Sequence, residues 1–92
     1  MPTQRIVTDL ALYMKSTCRY CRRVLAALEA LELSLEERDV SKIELFKDEL
    51  QQAMGRSTVP VLKITERGGA VRWMPDSAEI IEYLRGRFGG QI

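Results

Sequence analysis

The chain has two cysteines, Cys18 and Cys21, and they fall where one hydrophobic period ends and another begins. Before them, LALYM (10–14) is a short apolar run of the kind that forms a buried strand. After them, from Arg19 to about Leu33, the residues Val24, Leu25, Leu28 and Leu31 recur at three- and four-residue intervals, which is helical spacing. The C-R-Y-C stretch therefore straddles the start of a helix, with Lys15, Ser16 and Thr17 as the loop that leads into it. A strand that runs at once into a helix, and from there into a second strand, implies parallel pairing.

The rest of the chain extends that pattern. LSLEERDV (33–40) reads as the second strand, and Ser41 with Glu44 as a capping box. The helix it opens carries Ile43, Phe46, Leu50 and Met54 on one face, with Gly55 as its stop. TVPVLKIT (58–65) is rich in β-branched residues; Pro60 cannot donate a ladder bond, so the strand begins just after it. ERGG (66–69) supplies turn chemistry, and AVRWM (70–74) is the returning strand of a hairpin. Asp76 and Glu79 mark a last helix start, followed by Ile80, Ile81, Leu84 and Phe88, and the tail GRFGGQI is expected to fray. The order β-α-β-α-β-β-α predicts an α/β fold: a mixed four-stranded sheet flanked by three helices, in a single domain over 1–92.

Charge and hydropathy exclude several partners. Fourteen Lys and Arg stand against thirteen Asp and Glu, a formal net charge of +1, so there is no global field for holding nucleic acid. No apolar run approaches the roughly 18 to 20 residues that a membrane helix needs. Asp9 interrupts the apolar patch near the N-terminus and no small-residue cleavage site follows, so no signal peptide is read. A cytoplasmic, monomeric protein is expected, and in that compartment a cysteine pair is more often catalytic or metal-binding than structural.

Three uses of the pair can be compared. A closed zinc site needs four Cys or His ligands, and this chain has two cysteines and no histidine, so a metal or iron–sulfur centre would need outside ligands. A permanent bridge closing so short a loop removes little entropy from the unfolded chain. A redox dithiol uses every local feature. Cys18 lies at the helix start, where free N–H groups and the dipole favour a thiolate, and Lys15, Arg19, Arg22 and Arg23 push the same way. Cys21, one turn further in, is placed to resolve a mixed disulfide.

Lys15-Ser-Thr-Cys18-Arg-Tyr20-Cys21, Thr58-Val59-Pro60 and Asp76-Ser77 together resemble the glutaredoxins, within the thioredoxin superfold, over about residues 8 to 88. The Asp76-Ser77 block is also similar to the last-helix motif of glutathione-transferase N-terminal domains. The resemblance implies a thioredoxin fold, a cis Pro60 packed against the cysteines, and glutathione as co-substrate with no metal. It implies that Val59, following Thr58, pairs its backbone with the cysteinyl residue of glutathione, and that Lys15, helped by an arginine, meets the glycine carboxylate. The γ-glutamyl carboxylate would lie on the Ser77 N–H and hydroxyl, its ammonium on Asp76, and Tyr20 would line the groove. Asp76 also has a purely structural use as an N-cap, compatible with ligand contact.

Two departures from the family pattern stand out. Arg19 occupies the position after the first cysteine where dithiol glutaredoxins usually have proline, and Met74-Pro75 rather than a glycine pair precede Asp76. The function implied is a glutathione-dependent thiol–disulfide oxidoreductase acting on protein–glutathione mixed disulfides and protein disulfides, with Cys18 as nucleophile and Cys21 resolving. Its rivals are a glutaredoxin-like donor reduced by thioredoxin reductase and a carrier of a glutathione-ligated [2Fe–2S] cluster.

Overall fold

The computed structural model describes residues 5–89. Its elements are β1 (Arg5–Met14), α1 (Arg19–Ala30), β2 (Leu33–Asp39), α2 (Glu44–Met54), β3 (Val61–Thr65), β4 (Val71–Pro75) and α3 (Ser77–Phe88). The sheet order is β2-β1-β3-β4. β1 pairs parallel with β2 and antiparallel with β3, and the β3–β4 hairpin closes the other edge. This is the mixed four-stranded sheet with three helices that the pattern predicts, in the thioredoxin-type arrangement that the family resemblance implies.

The central strands carry apolar side chains toward both faces because both are covered. Leu10, Leu12, Met14, Leu62 and Ile64 join Cys21, Val24, Leu28, Ile80 and Leu84 in the cluster under α1 and α3. Tyr13 and Val61 turn the other way and meet Leu50, Phe46 and Met54 beneath α2. There the Tyr13 hydroxyl donates to Glu49 at 2.7 Å and accepts from Arg38 at 2.6 Å, which satisfies a phenol buried at the sheet. Among the described residues no helix is long and apolar enough to cross a membrane.

Several predicted boundaries are corrected. β1 starts at Arg5 rather than at Leu10. Its first half hides from an alternation count because the β1–β2 register shifts between Ile6 and Ala11. The irregularity brings Val7 onto the same face as Leu10 and Leu12 despite opposite parity. α1 ends at Ala30, since Glu32 takes a positive φ of 56° and turns the chain straight into β2. Ser41 caps nothing: its N–H and hydroxyl both donate to the Asp39 carboxylate, and the α2 N-cap is Ile43, with no side-chain bond and an exposed side chain. A carboxylate two residues back outcompetes the box for the serine. β4 runs one residue later than expected, to Pro75.

The expected fraying of the tail is corrected for Gly86–Phe88, which continue α3 up to its cap at Gly89. The Arg87 guanidinium reaches Asp9 at 2.9 Å, and Arg5 donates to the carbonyls of Leu31 and Phe88. These contacts tie the helix end to β1. The remainder of that tail, 90–92, lies outside the described residues.

Candidate active site

The chain leaves β1 at Met14, turns through Lys15–Thr17 and enters α1 with Cys18 as N-cap. The turn is closed by the Cys18 N–H donating to the Lys15 carbonyl at 3.1 Å. Cys18 has extended backbone angles (φ −86°, ψ 126°), and its Sγ accepts the N–H of Cys21 at 3.4 Å. A sulfur thus stands where a Ser or Asp oxygen would ordinarily cap the helix. One turn on, Cys21 is fully buried and its Sγ accepts the Lys15 N–H at 3.5 Å. Both cysteines are free thiols.

The two thiols are electrostatically unlike. Partial burial pushes Cys18 upward, but hydrogen bonds from the Cys21 N–H, the Cys21 thiol and the Tyr20 N–H, with the Lys15 ammonium, outweigh it and hold Cys18 below the ordinary thiol value. Burial pushes Cys21 up to about 12 against the opposing Lys15 N–H, and the Cys18 sulfur and the Asp39 carboxylate add to the rise. One sulfur of the pair is therefore disposed to ionise and the other to keep its proton.

Beside them lies a groove of about 440 Å³. Tyr20, Thr58, Val59, Pro60, Asp76 and Ser77 all line it, so the structure brings together six of the nine residues singled out in the sequence. The Val59–Pro60 peptide bond is cis, and Pro60 is buried directly before β3. Asp76 caps α3, accepting from Ala78 N–H at 2.9 Å and Glu79 N–H at 3.4 Å. That leaves the Ser77 N–H, at the first helical position, without an intrahelical partner, and Ser77 itself is buried. The Asp76 backbone has a φ of 95°, where glycine is at ease, so the aspartate is held in an uncommon conformation at the groove wall.

Lys15, Cys18 and Cys21 are not walls of this groove, although Tyr20, which lies between the two cysteines in the chain, is. Lys15 is exposed in the turn before Cys18. Four further walls, Met54, Arg56, Val61 and Pro75, are not among those nine. Arg56 is the cation between the helix stop at Gly55 and the T-V-P stretch. Among the described residues no cluster of three or more His, Cys, Asp or Glu could hold a metal ion.

Comparison with known proteins bears on the same elements. The family model described as Glutaredoxin matches residues 10–68, which include the C-R-Y-C stretch and T-V-P. Glutaredoxin 3 of Escherichia coli K12 is 31% identical over 58 residues, covering 63% of this chain and 70% of that protein. Among solved structures, a trimeric glutathione transferase from Leishmania superposes with a TM-score of 0.71 at 29% identity, over 86% of this chain and 18% of that one. Maleylacetoacetate isomerase from Anaeromyxobacter dehalogenans, solved with glutathione bound in its active site, gives 0.66 at 29%, over 89% of this chain and 38% of that one. The chain thus spans well under half of the structures it superposes on, and the similarity to the last-helix motif of transferases extends to the whole sheet. With the family model spanning more than half the chain and running through both cysteines and Pro60, the chain belongs to the glutaredoxin family.

Proposed function

We propose that the protein is a glutathione-dependent thiol–disulfide oxidoreductase in which Cys18 attacks and Cys21 resolves. The observation that carries this is the N-cap placement of Cys18, whose thiol is held below its ordinary value beside a groove lined by Asp76 and Ser77 at the start of α3. The Cys18 thiolate attacks the glutathione sulfur of a protein–glutathione mixed disulfide. A Cys18–glutathione S–S bond forms, the protein–glutathione S–S bond breaks, and the protein sulfur leaves as a thiolate that takes a proton from water. A second glutathione thiolate then attacks the bound glutathione sulfur, releasing glutathione disulfide and restoring the Cys18 thiolate. With a protein disulfide, Cys18 forms the mixed disulfide and Cys21, once deprotonated, attacks the Cys18 sulfur. The resulting Cys18–Cys21 disulfide is reduced by two glutathiones.

The groove suits the tripeptide. Val59 offers backbone for strand-like pairing with the cysteinyl residue, and Thr58, Pro60 and Tyr20 form the walls around it. The γ-glutamyl carboxylate takes the Ser77 N–H at the start of α3, with its ammonium on Asp76. Lys15 and Arg56 meet the glycine carboxylate. The protein works in this reading as a single-domain monomer of the reducing cytoplasm, on glutathionylated and disulfide-bearing proteins, with no metal in the reaction.

The test is an NADPH-coupled assay with a glutathionylated peptide, reduced glutathione and glutathione reductase. Turnover that falls to background in Cys18→Ser and persists in Cys21→Ser supports the assignment of both roles. Absence of turnover from folded, reduced protein refutes it.

A further inference from the structure

Arg19, Arg22 and Arg23 fill the first turn and a half of α1, all three exposed. Their spacing of three and four residues puts them on one stripe, opposite the buried face of Cys21, Val24 and Leu28. Local physics disfavours them there. Cations at a helix N-terminus face the positive end of the dipole, and like charges three and four residues apart repel. No acidic residue lies in the first turn, and the positions one turn on, Ala26 and Ala27, are alanines.

Among the described residues, three of the seven arginines outside α1 are in ion pairs. Arg38 pairs with Glu36 and Glu49, Arg72 with Glu66, and Arg87 with Asp9, whereas none of the α1 three is in an ion pair among the described residues. Unneutralised positive charge therefore collects beside Cys18 in a chain whose formal net charge is only +1. Local rules broken in this way are expected at functional surfaces. The arginine that lines the groove is Arg56, and none of the three on α1 is among its walls.

We infer that this stripe receives acidic residues flanking the glutathionylated cysteine of a protein substrate, so that the enzyme selects mixed disulfides set in acidic sequence. The inference rests on the oxidoreductase reading and names the substrate class of the same site. When Cys18 attacks with glutathione in the groove, the polypeptide half of the mixed disulfide must lie outside it, and the arginine stripe adjoins Cys18 on the helix surface. A one-signed cluster at the reacting sulfur speeds encounter with an oppositely charged partner, within a screening distance of about 10 Å at 0.1 M salt.

Three glutathionylated peptides, alike except for Asp, Ser or Lys flanking the cysteine, test it in the coupled assay. The Asp peptide is expected to exceed the Lys peptide in kcat/KM by about tenfold near 20 mM salt, with the ratio collapsing below about twofold near 0.5 M. The double variant Arg22→Glu, Arg23→Glu is expected to reverse the order of the Asp and Lys peptides and to melt no lower than the parent. Equal rates for the Asp and Lys peptides at low salt overturn the inference, and so does a preference that survives high salt or the double variant. Stronger inhibition by a single-stranded oligonucleotide than by a free acidic peptide of equal charge also overturns it, by assigning the stripe to nucleic acid. Failure of the Ser peptide to turn over is a different result: it removes the oxidoreductase reading and the inference with it.

Discussion

At Cys18 two influences oppose each other: burial favours the thiol, while the Cys21 and Tyr20 N–H groups, the Cys21 thiol and the Lys15 ammonium favour the thiolate and prevail. The rate of iodoacetamide alkylation at Cys18 should accordingly rise with pH through a midpoint below that of an ordinary thiol. In Lys15→Met the midpoint should move upward, since a favourable charge is lost; a profile unchanged by Lys15→Met would remove that residue from the account. The contrast between the two cysteines was legible in the sequence, because helix-start position and flanking cations are local features. Arg56 was not, because its relevance depends on the groove that the Gly55 turn and cis Pro60 shape around it.

Among the elements, the start of α3 combines two jobs at one residue. Asp76 holds the helix by accepting two N–H groups and presents a carboxylate at the groove. Asparagine caps about as well as aspartate, whereas alanine costs about 1 kcal/mol. Asp76→Asn should therefore keep the melting temperature while raising the KM for glutathione by about tenfold, the equivalent of roughly 1.4 kcal/mol of binding. Asp76→Ala should lose both. Thermal melts alongside glutathione titrations separate the two roles, and an unchanged KM in Asp76→Asn would leave the residue as a cap alone. This start was readable from Asp76 and Glu79, though only the forward half of the box forms among the described residues. The Ser41–Glu44 box was misread because the pattern alone does not show that Asp39 claims the serine. Similarly, the first half of β1 was missed because the register shift scrambles its alternation.

For the whole molecule, the buried thiol makes stability depend on pH. Unfolded Cys21 loses its proton near about 8.5, while in the fold it holds it up to about 12. Between these values the unfolded chain binds fewer protons, so stability falls as pH rises, by about 1 kcal/mol per unit. Tyr13, pushed up to about 12 chiefly by burial and by its bond to Glu49, adds the same sign above about 10. Cys18 acts oppositely: its contribution is present above the ordinary thiol value and is lost as pH falls through its lowered one. Melts of the reduced protein should thus decline from about pH 9 upward, and Cys21→Ser should delay the decline until Tyr13 titrates. A parent and variant that decline together would contradict the burial argument. At this scale the element order was fully legible, and the groove was legible only through motif resemblance, since Tyr20, Pro60 and Ser77 meet across distances no periodicity encodes.

The central claim is that Cys18 itself carries glutathione between donor and acceptor. The most direct measurement is to mix the Cys21→Ser variant with a glutathionylated peptide, quench with acid within the first turnover, and map the adduct by mass spectrometry. One glutathione on the fragment bearing Cys18, discharged on adding free glutathione, is the expected result. Peptide rather than glutathione on Cys18, or an unmodified Cys18 while the peptide is reduced, would contradict it.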